Sequence, residues 1–116
     1  MSRDERIQKI LDSWHPPRRL KEDTWQNVQL VLDYYGFTCI RKREWVCSHE
    51  LFAKLAKKPN AGKLLKSANI GPLGDFAIAV THGSNRKSGM VVKRYLDLIL
   101  GAIEFLEFLR RKEDEL

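Results

Sequence analysis

The sequence predicts an α+β fold, in which a three-stranded antiparallel sheet carries helices on one face. Apolar residues recur every three to four positions near both ends of the chain and alternate in its middle, which indicates helices flanking consecutive strands. That order suits an antiparallel sheet whose other face is free to be solvated and basic. We expect residues 1–21 to form an N-terminal helix and linker, and residues 22–116 to form a single globular unit.

The first two elements are predicted to be helices. Ser2 begins a capping-box pattern, and the helix that follows is expected over 3–14, ended by the two prolines after it. A second helix is expected over 22–35. Asp23 is its candidate cap and Gly36 its candidate stop.

After Gly36 the spacing of apolar residues changes from every three to four positions to every second position. A strand is expected over 37–41, a polar turn over 41–44, and a second strand over 45–50. In that second strand His49 shares one face with the residues two and four positions before it. Ser48 leaves an alternative open, because a serine can also cap a short helix, which would make His49 an ordinary surface residue.

The C-terminal half begins with a long basic insertion at 55–75, interrupted by prolines and glycines, with at most a helical turn at 62–67. A half-buried strand is expected over 76–80, followed by a polar loop. The closing helix should begin near Met90, because apolar residues then keep helical spacing as far as Leu109.

The charge is concentrated in the middle of the chain. The net charge is +6, and residues 41–94 hold 12 Lys and Arg against 3 Asp and Glu, a balance of +9. The other residues hold 9 against 12, a balance of −3. A basic middle indicates a polyanionic partner, most simply nucleic acid, although a solvated lysine surface is the plainer alternative.

Several kinds of function leave no pattern in this sequence. There is no metal-ligand spacing and no phosphate-binding glycine motif, so we expect no metal and no cofactor. No apolar run reaches membrane-spanning length, and no signal peptide is evident, so a cytoplasmic location without membrane association is expected. Cys39 and Cys47 are expected to be small buried residues with reduced thiols.

Histidine chemistry is the remaining route to catalysis. RNA cleavage by internal transfer needs no metal: the ribose 2′-OH attacks its own phosphate, a base takes its proton, and a cation stabilises the added charge. A histidine suits this role because its ordinary pKa, about 6.5, lies near neutral pH. From the residues alone, however, His49 is more simply a strand-surface histidine and His82 a turn residue.

The stretch 24–52 resembles the HicA toxins, which are the messenger-RNA-cleaving members of HicA–HicB toxin–antitoxin pairs. The end of the chain, 80–100, is similar to the third strand, basic turn and closing helix of that family, and the resemblance covers roughly 7–104 except 55–73. The residues that carry the first match are Gly36-Phe37, Arg41-Lys42-Arg43, Ser48-His49 and Phe52.

The resemblance implies a fold like that of the double-stranded-RNA-binding domain, α-β-β-β-α, with an extra N-terminal helix and a long insertion between the second and third strands. It implies an endoribonuclease toxin of a type II system that cuts messenger RNA without a metal. His49 would be its acid/base in the second strand, and a HicB-like antitoxin would cover its basic face. The candidate nucleic-acid contacts are Arg41, Lys42, Arg43, Ser48, His82, Arg86 and Lys87.

Two residues depart from the family pattern. Cys47 stands where the family has glycine, and Glu50 places a carboxylate beside His49, which should raise the histidine pKa and repel phosphate. A non-catalytic RNA-binding domain on the same fold is therefore the alternative function. A protein-interaction module is a third, in which the closing helix, with Phe105, Phe108 and Leu109 near its end, packs on a partner or a second copy; the charge balance disfavours it.

Overall fold

The computed structural model of the protein describes residues 2–81 and 89–112. Helices and strands are interspersed along these ranges, and the first and last of the described elements are helices. The elements are α1 (Arg3–Trp14), β1 (Glu22–Thr24), α2 (Trp25–Tyr34), β2 (Thr38–Arg41), β3 (Trp45–Ser48), α3 (Glu50–Ala56), α4 (Gly62–Ser67), β4 (Asp75–Ile78), β5 (Met90–Val92) and α5 (Lys93–Arg111).

The strands form two antiparallel sheets. The predicted three-stranded sheet is present in the order β2-β3-β4, which confirms the α+β class. A second sheet pairs β1 with β5, and it was not predicted. Both of its strands lie where helix starts were expected, so α2 begins at Trp25 rather than at residue 22, and α5 begins at Lys93 rather than near Met90.

The first two helices begin at side-chain caps. Ser2 Oγ accepts from the Glu5 N–H at 3.2 Å, as predicted. The cap of α2 is Thr24, whose Oγ1 accepts from the Asn27 N–H at 3.2 Å, so the assignment of Asp23 was wrong. The Asp23 carboxylate is instead buried and accepts from the indole N–H of Trp14 at 2.9 Å, which joins the end of α1 to β1.

The long insertion is helical in two places, the last residues of α3 and the whole of α4. The predicted turn at 62–67 is α4, but the residues before it form another helix, α3, where a strand and a loop were expected. Phe52 and Leu55, one turn apart on α3, are both buried, and α3 contacts α4 and α5. The insertion therefore packs onto the domain rather than extending from it.

One hydrophobic cluster takes buried residues from all five described helices. The inward face of the three-stranded sheet contributes Cys47, Phe76 and Ile78 to it. The outward face is solvated, with Ile40 56% exposed, but the outward positions of these described strands hold no lysine or arginine. The expectation that this face is basic was wrong within the strands. No described helix is long and apolar enough to cross a membrane.

Candidate functional site

His49 lies at the junction between β3 and α3. The strand ends at Ser48, the helix begins at Glu50, and His49 has extended backbone angles, φ −137° and ψ 145°. Its Nδ1 accepts a hydrogen bond from the Leu51 N–H at 3.1 Å, so His49 is itself the helix cap. Both initial interpretations need correction: Ser48 does not cap the helix, and the strand stops before it reaches His49.

The other ring nitrogen is also engaged. Nε2 lies 3.1 Å from the carbonyl oxygen of Tyr35, which can only accept. Nε2 therefore carries the proton and donates, while Nδ1 accepts from the Leu51 N–H. These two backbone contacts assign one neutral tautomer to the ring and fix its orientation.

Three of the residues on which the resemblance rests lie around this ring. The Phe37 ring lies edge-on to it with centroids 5.1 Å apart, and the Phe52 ring lies 5.8 Å away. Gly36 has φ +86°, and a Cβ there would lie only 3.2 Å from Nε2 of His49. A glycine is needed at this position both for its backbone conformation and for the close approach of the imidazole.

The pKa of His49 is lowered from its ordinary value, chiefly because partial burial disfavours the charged ring. The hydrogen bond to the Tyr35 backbone acts in the opposite direction, and the positive charge of Arg110 adds to the lowering. Glu50 does raise the pKa, as expected, but it is outweighed. Near neutral pH the ring is therefore the free base.

The predicted basic turn and His49 lie at opposite ends of β3. Arg41 pairs with Trp45 at the start of this strand, whereas Ser48 pairs with Thr38 and Asp75 at its end. His49 lies four residue steps beyond Trp45, about 13 Å at 3.3 Å per residue. The structure thus does not bring Arg41, Lys42 and Arg43 to the histidine.

The remaining predicted contacts divide into two groups. Ser48 is half-buried and belongs to the outward face of the sheet, next to His49 in sequence but on the opposite side of the strand. His82, Arg86 and Lys87 lie outside the described residues. The residues that flank this segment, Thr81 and Gly89, lie at the β1–β5 end of the molecule, where Thr81 bridges to Met90 and the Gly89 carbonyl accepts from the Trp25 N–H.

The positive charge that acts on His49 is that of Arg110 on α5, and further positive charge follows His49 in the chain, in the insertion. The segment 51–74 contains lysines but no aspartate or glutamate, and α3 begins directly after His49. Its exposed lysines are Lys54, Lys57, Lys58, Lys63 and Lys66. These residues were absent from the predicted contacts, although the sequence signal, a run of lysines without acids, was visible.

A second group of side chains lies at the opposite end of β3. The rings of Trp25 and Trp45 stack at 4.6 Å with an interplanar angle of 22°, and the Arg41 guanidinium lies 5.9 Å from the centroid of the Trp45 ring. They border a pocket of about 340 Å³. It is lined by Trp25, Gln26, Arg41, Arg43, Glu44, Trp45, Val80 and Gly89. We call it the tryptophan pocket.

The two cysteines form a cross-strand pair of free thiols, with their Sγ atoms 3.1 Å apart. Cys47 is fully buried, and its hydrogen bond with Cys39, together with burial, raises its pKa. The Cys47 side chain points into the core rather than outward from the sheet. The cysteine that stands where the HicA pattern has a glycine therefore adds a neutral thiol to the core.

Comparison of the chain with protein-family models, with curated proteins and with solved structures found no match. Within 2–81 and 89–112, no three His, Cys, Asp or Glu side chains come together as a possible metal site. The function therefore has to be inferred from the geometry around His49 and from the tryptophan pocket.

Proposed function

We propose that the protein is an endoribonuclease of the HicA type, the toxin of a type II toxin–antitoxin pair, and that it cuts messenger RNA at His49 without a metal ion. The observation that carries the proposal is the meeting of the motif residues. Gly36 and Phe37 are distant from His49 in sequence, yet a Cβ at Gly36 would lie 3.2 Å from its Nε2 and the Phe37 ring lies edge-on to it. Phe52, in the first turn of α3, lies beside the same ring.

The order of elements supports the same proposal. Apart from α3, α4 and β5, the elements from α2 to α5 follow the order α2-β2-β3-β4-α5, which supports the expected α-β-β-β-α arrangement. On that pattern α1 is the extra N-terminal helix, and α3–α4 is the insertion between the second and third strands of the three-stranded sheet. The small β1–β5 sheet is an addition to it.

The hydrogen bonds of His49 define how it works as a base. Nε2–H stays bonded to the Tyr35 carbonyl, which orients the ring and stabilises the imidazolium once it forms. Nδ1 exchanges the Leu51 N–H for the ribose 2′-OH and takes its proton. The 2′-oxygen then bonds to phosphorus, the bond to the 5′-oxygen breaks, and that oxygen takes a proton from a solvent water. The hydroxide left behind is neutralised by the Nδ1 proton of the imidazolium, which returns His49 to the free base. The products end in a 2′,3′-cyclic phosphate and a 5′-hydroxyl.

Charge stabilisation comes from the lysines of α3–α4. The reaction adds negative charge to the phosphate, and cations aimed at that position lower the barrier. The lysine helices follow His49 directly in the chain, which makes them better placed than the β2–β3 turn. An antitoxin of the HicB type would inhibit the enzyme by covering this basic helical surface together with His49.

Cleavage of a 5′-labelled RNA by His49→Ala and His49→Asn tests the proposal. Both variants should lose about 10²- to 10⁴-fold in rate, the usual contribution of a general base. Asparagine keeps a helix cap, so its loss of activity cannot be attributed to unfolding of α3. His15→Ala, which alters the exposed C-terminal cap of α1, is the matched control and should cut normally.

Two further measurements identify the chemistry. An oligonucleotide with 2′-deoxyribose at the cut position should resist, because it lacks the nucleophile. Chelation with EDTA should leave the rate unchanged. If His49→Asn, still folded, cuts RNA as fast as the wild type, the catalytic assignment is wrong.

A second candidate is an RNA-binding domain without catalysis. One observation favours it: both ring nitrogens of His49 are engaged with the backbone, as a purely structural histidine requires. This candidate predicts salt-dependent RNA binding that His49→Asn leaves unchanged, with no cleavage by the wild type.

A further inference from the structure

The tryptophan pocket combines aromatic rings, cations and one carboxylate on an accessible surface. Trp25 and Trp45 are both half-exposed, and the Arg41, Arg43 and Glu44 side chains beside them are exposed. Exposed stacked indoles with a guanidinium near one ring are a combination that single-stranded nucleic-acid sites use to stack bases. A base held inside a duplex cannot reach such a surface, so an unpaired nucleotide fits it.

The volume limits the occupant to a small unit. A pocket of about 340 Å³ is near the lower end of the usual range for small-molecule sites, roughly 300–1,000 Å³. It suits one nucleotide, with the base against the indoles and the phosphate toward Arg43. The guanidinium groups of Arg41 and Arg43 supply the positive charge that the phosphate needs.

The polar residues of the pocket discriminate between bases. The Glu44 carboxylate only accepts hydrogen bonds, and it repels phosphate, so its partner is a base edge that donates. Guanine presents two adjacent donors on its pairing edge, the ring N1–H and the amino group, which match the two carboxylate oxygens. The Gln26 amide, which also lines the pocket, can donate to the guanine carbonyl.

We propose that the tryptophan pocket binds one unpaired guanine of an RNA strand, with the base stacked on the Trp25–Trp45 pair and read by Glu44. This inference rests on the proposed RNA-directed function. It adds a base-specific subsite at the end of β3 away from His49. It also gives a role to Arg41 and Arg43, which the structure separates from the histidine.

Binding of short 2′-O-methyl RNAs, measured by fluorescence anisotropy, tests the inference, because these probes cannot be cut. The probes are a 5′-labelled UUGUU and its variants with A, C or U at the centre. The wild type should prefer the guanine probe. Trp45→Ala should weaken its binding about 5- to 150-fold, the usual effect of removing one stacked base contact.

Glu44→Gln is the sharper variant, since it alters an exposed turn and leaves the sheet intact. It should remove the preference for guanine while retaining binding to all four probes. Tyr34→Ala is the matched control, because Tyr34 also lies under an arginine, Arg3, at 5.6 Å, yet does not line the pocket. It should bind like the wild type.

The outcomes separate this inference from the nuclease proposal. If folded Glu44→Gln keeps the full preference for guanine, or inorganic phosphate displaces the probes as well as guanosine monophosphate does, the guanine site is refuted. If the wild type prefers guanine but never cuts RNA, the nuclease proposal fails and the guanine site stands. His49→Asn should bind the probes normally in either case.

Discussion

Replacing His49 by alanine and by asparagine should destabilise the fold by different amounts. Alanine removes the cap of α3, worth about 1 kcal/mol, and the hydrogen bond to the Tyr35 carbonyl, worth about 1 kcal/mol. It also removes the edge-on contact with Phe37, worth about 0.5–1.5 kcal/mol. The expected loss in the free energy of unfolding is therefore about 2.5–3.5 kcal/mol for alanine.

Asparagine restores one of these contributions. It ranks among the best helix caps, so its oxygen should accept from the Leu51 N–H in place of Nδ1. The expected loss for His49→Asn is about 1 kcal/mol smaller than for His49→Ala, because the cap bond is retained.

Urea unfolding at pH 7.5, followed by tryptophan fluorescence, measures both variants against the wild type. The midpoints should fall in the order wild type, asparagine, alanine, with equal slopes. Equal midpoints for the two variants would show that His49 does not cap α3 in solution. The assignment of its proton to Nε2 would then rest on the contact with the Tyr35 carbonyl alone.

The depressed pKa of His49 gives a pH dependence with a definite sign. Burial disfavours the imidazolium in the folded state, so the pKa of His49 is lower in the folded chain than in the unfolded chain, where it is near 6.5. At a pH between these two pKa values, the unfolded chain binds more protons than the folded chain does. Stability should therefore fall as the pH drops below about 6.5. Protonation of Nδ1 also removes the acceptor for the Leu51 N–H. Wild-type stability should fall between pH 7.5 and 5.5 by more than that of His49→Asn, and parallel pH profiles would contradict this cause.

Two further substitutions test the packing that surrounds the site. Gly74→Ala should lower the free energy of unfolding by more than about 2 kcal/mol, because Gly74 has φ +82° and an added Cβ would lie 2.7 Å from the Phe52 carbonyl group. Thermal melting should show a large drop in melting temperature. Gly62→Ala is the control, since the space around Gly62 is open, and it should be neutral or stabilising. Asp23→Ala should cost about 2–3 kcal/mol, because it leaves the buried Trp14 N–H without its acceptor, and an unchanged melting temperature would refute that bond.

Periodicity located the long elements of the fold. The stripes of α1, α2 and α5 and the alternation of β2, β3 and β4 run over enough residues to distinguish the two periods. The short strands were missed, since three residues such as Met90–Val92 fit either period. They become strands because β1 and β5 pair with each other, and sequence spacing does not record that contact.

The site was predicted only in part, for a similar reason. His49 was identified through its motif, but four strand residues before it gave no sign that the strand would stop there. The residues after His49, "ELFAKLA", are good helix formers and did indicate a helix. The resemblance to the HicA toxins, which implies a histidine within the strand, was given more weight. The stacking of Trp25 on Trp45 joins residues twenty positions apart and depends on how α2 meets the sheet.

The two proposed sites are linked by the rigid strand β3, and this has a consequence for the cut. About 13 Å of strand separates Trp45 from His49. A stacked single strand rises about 3.4 Å per nucleotide, and an unstacked one rises more. Trp45 and His49 flank the buried Cys47 on the core-facing side of β3, so an RNA strand cannot follow β3 directly and has to pass around the surface. One RNA strand that places a guanine in the tryptophan pocket and a 2′-OH at Nδ1 therefore spans at least about four stacked nucleotides. Cut positions mapped on RNAs with a single guanine should lie at one constant offset from it, and Glu44→Gln should spread them along the strand.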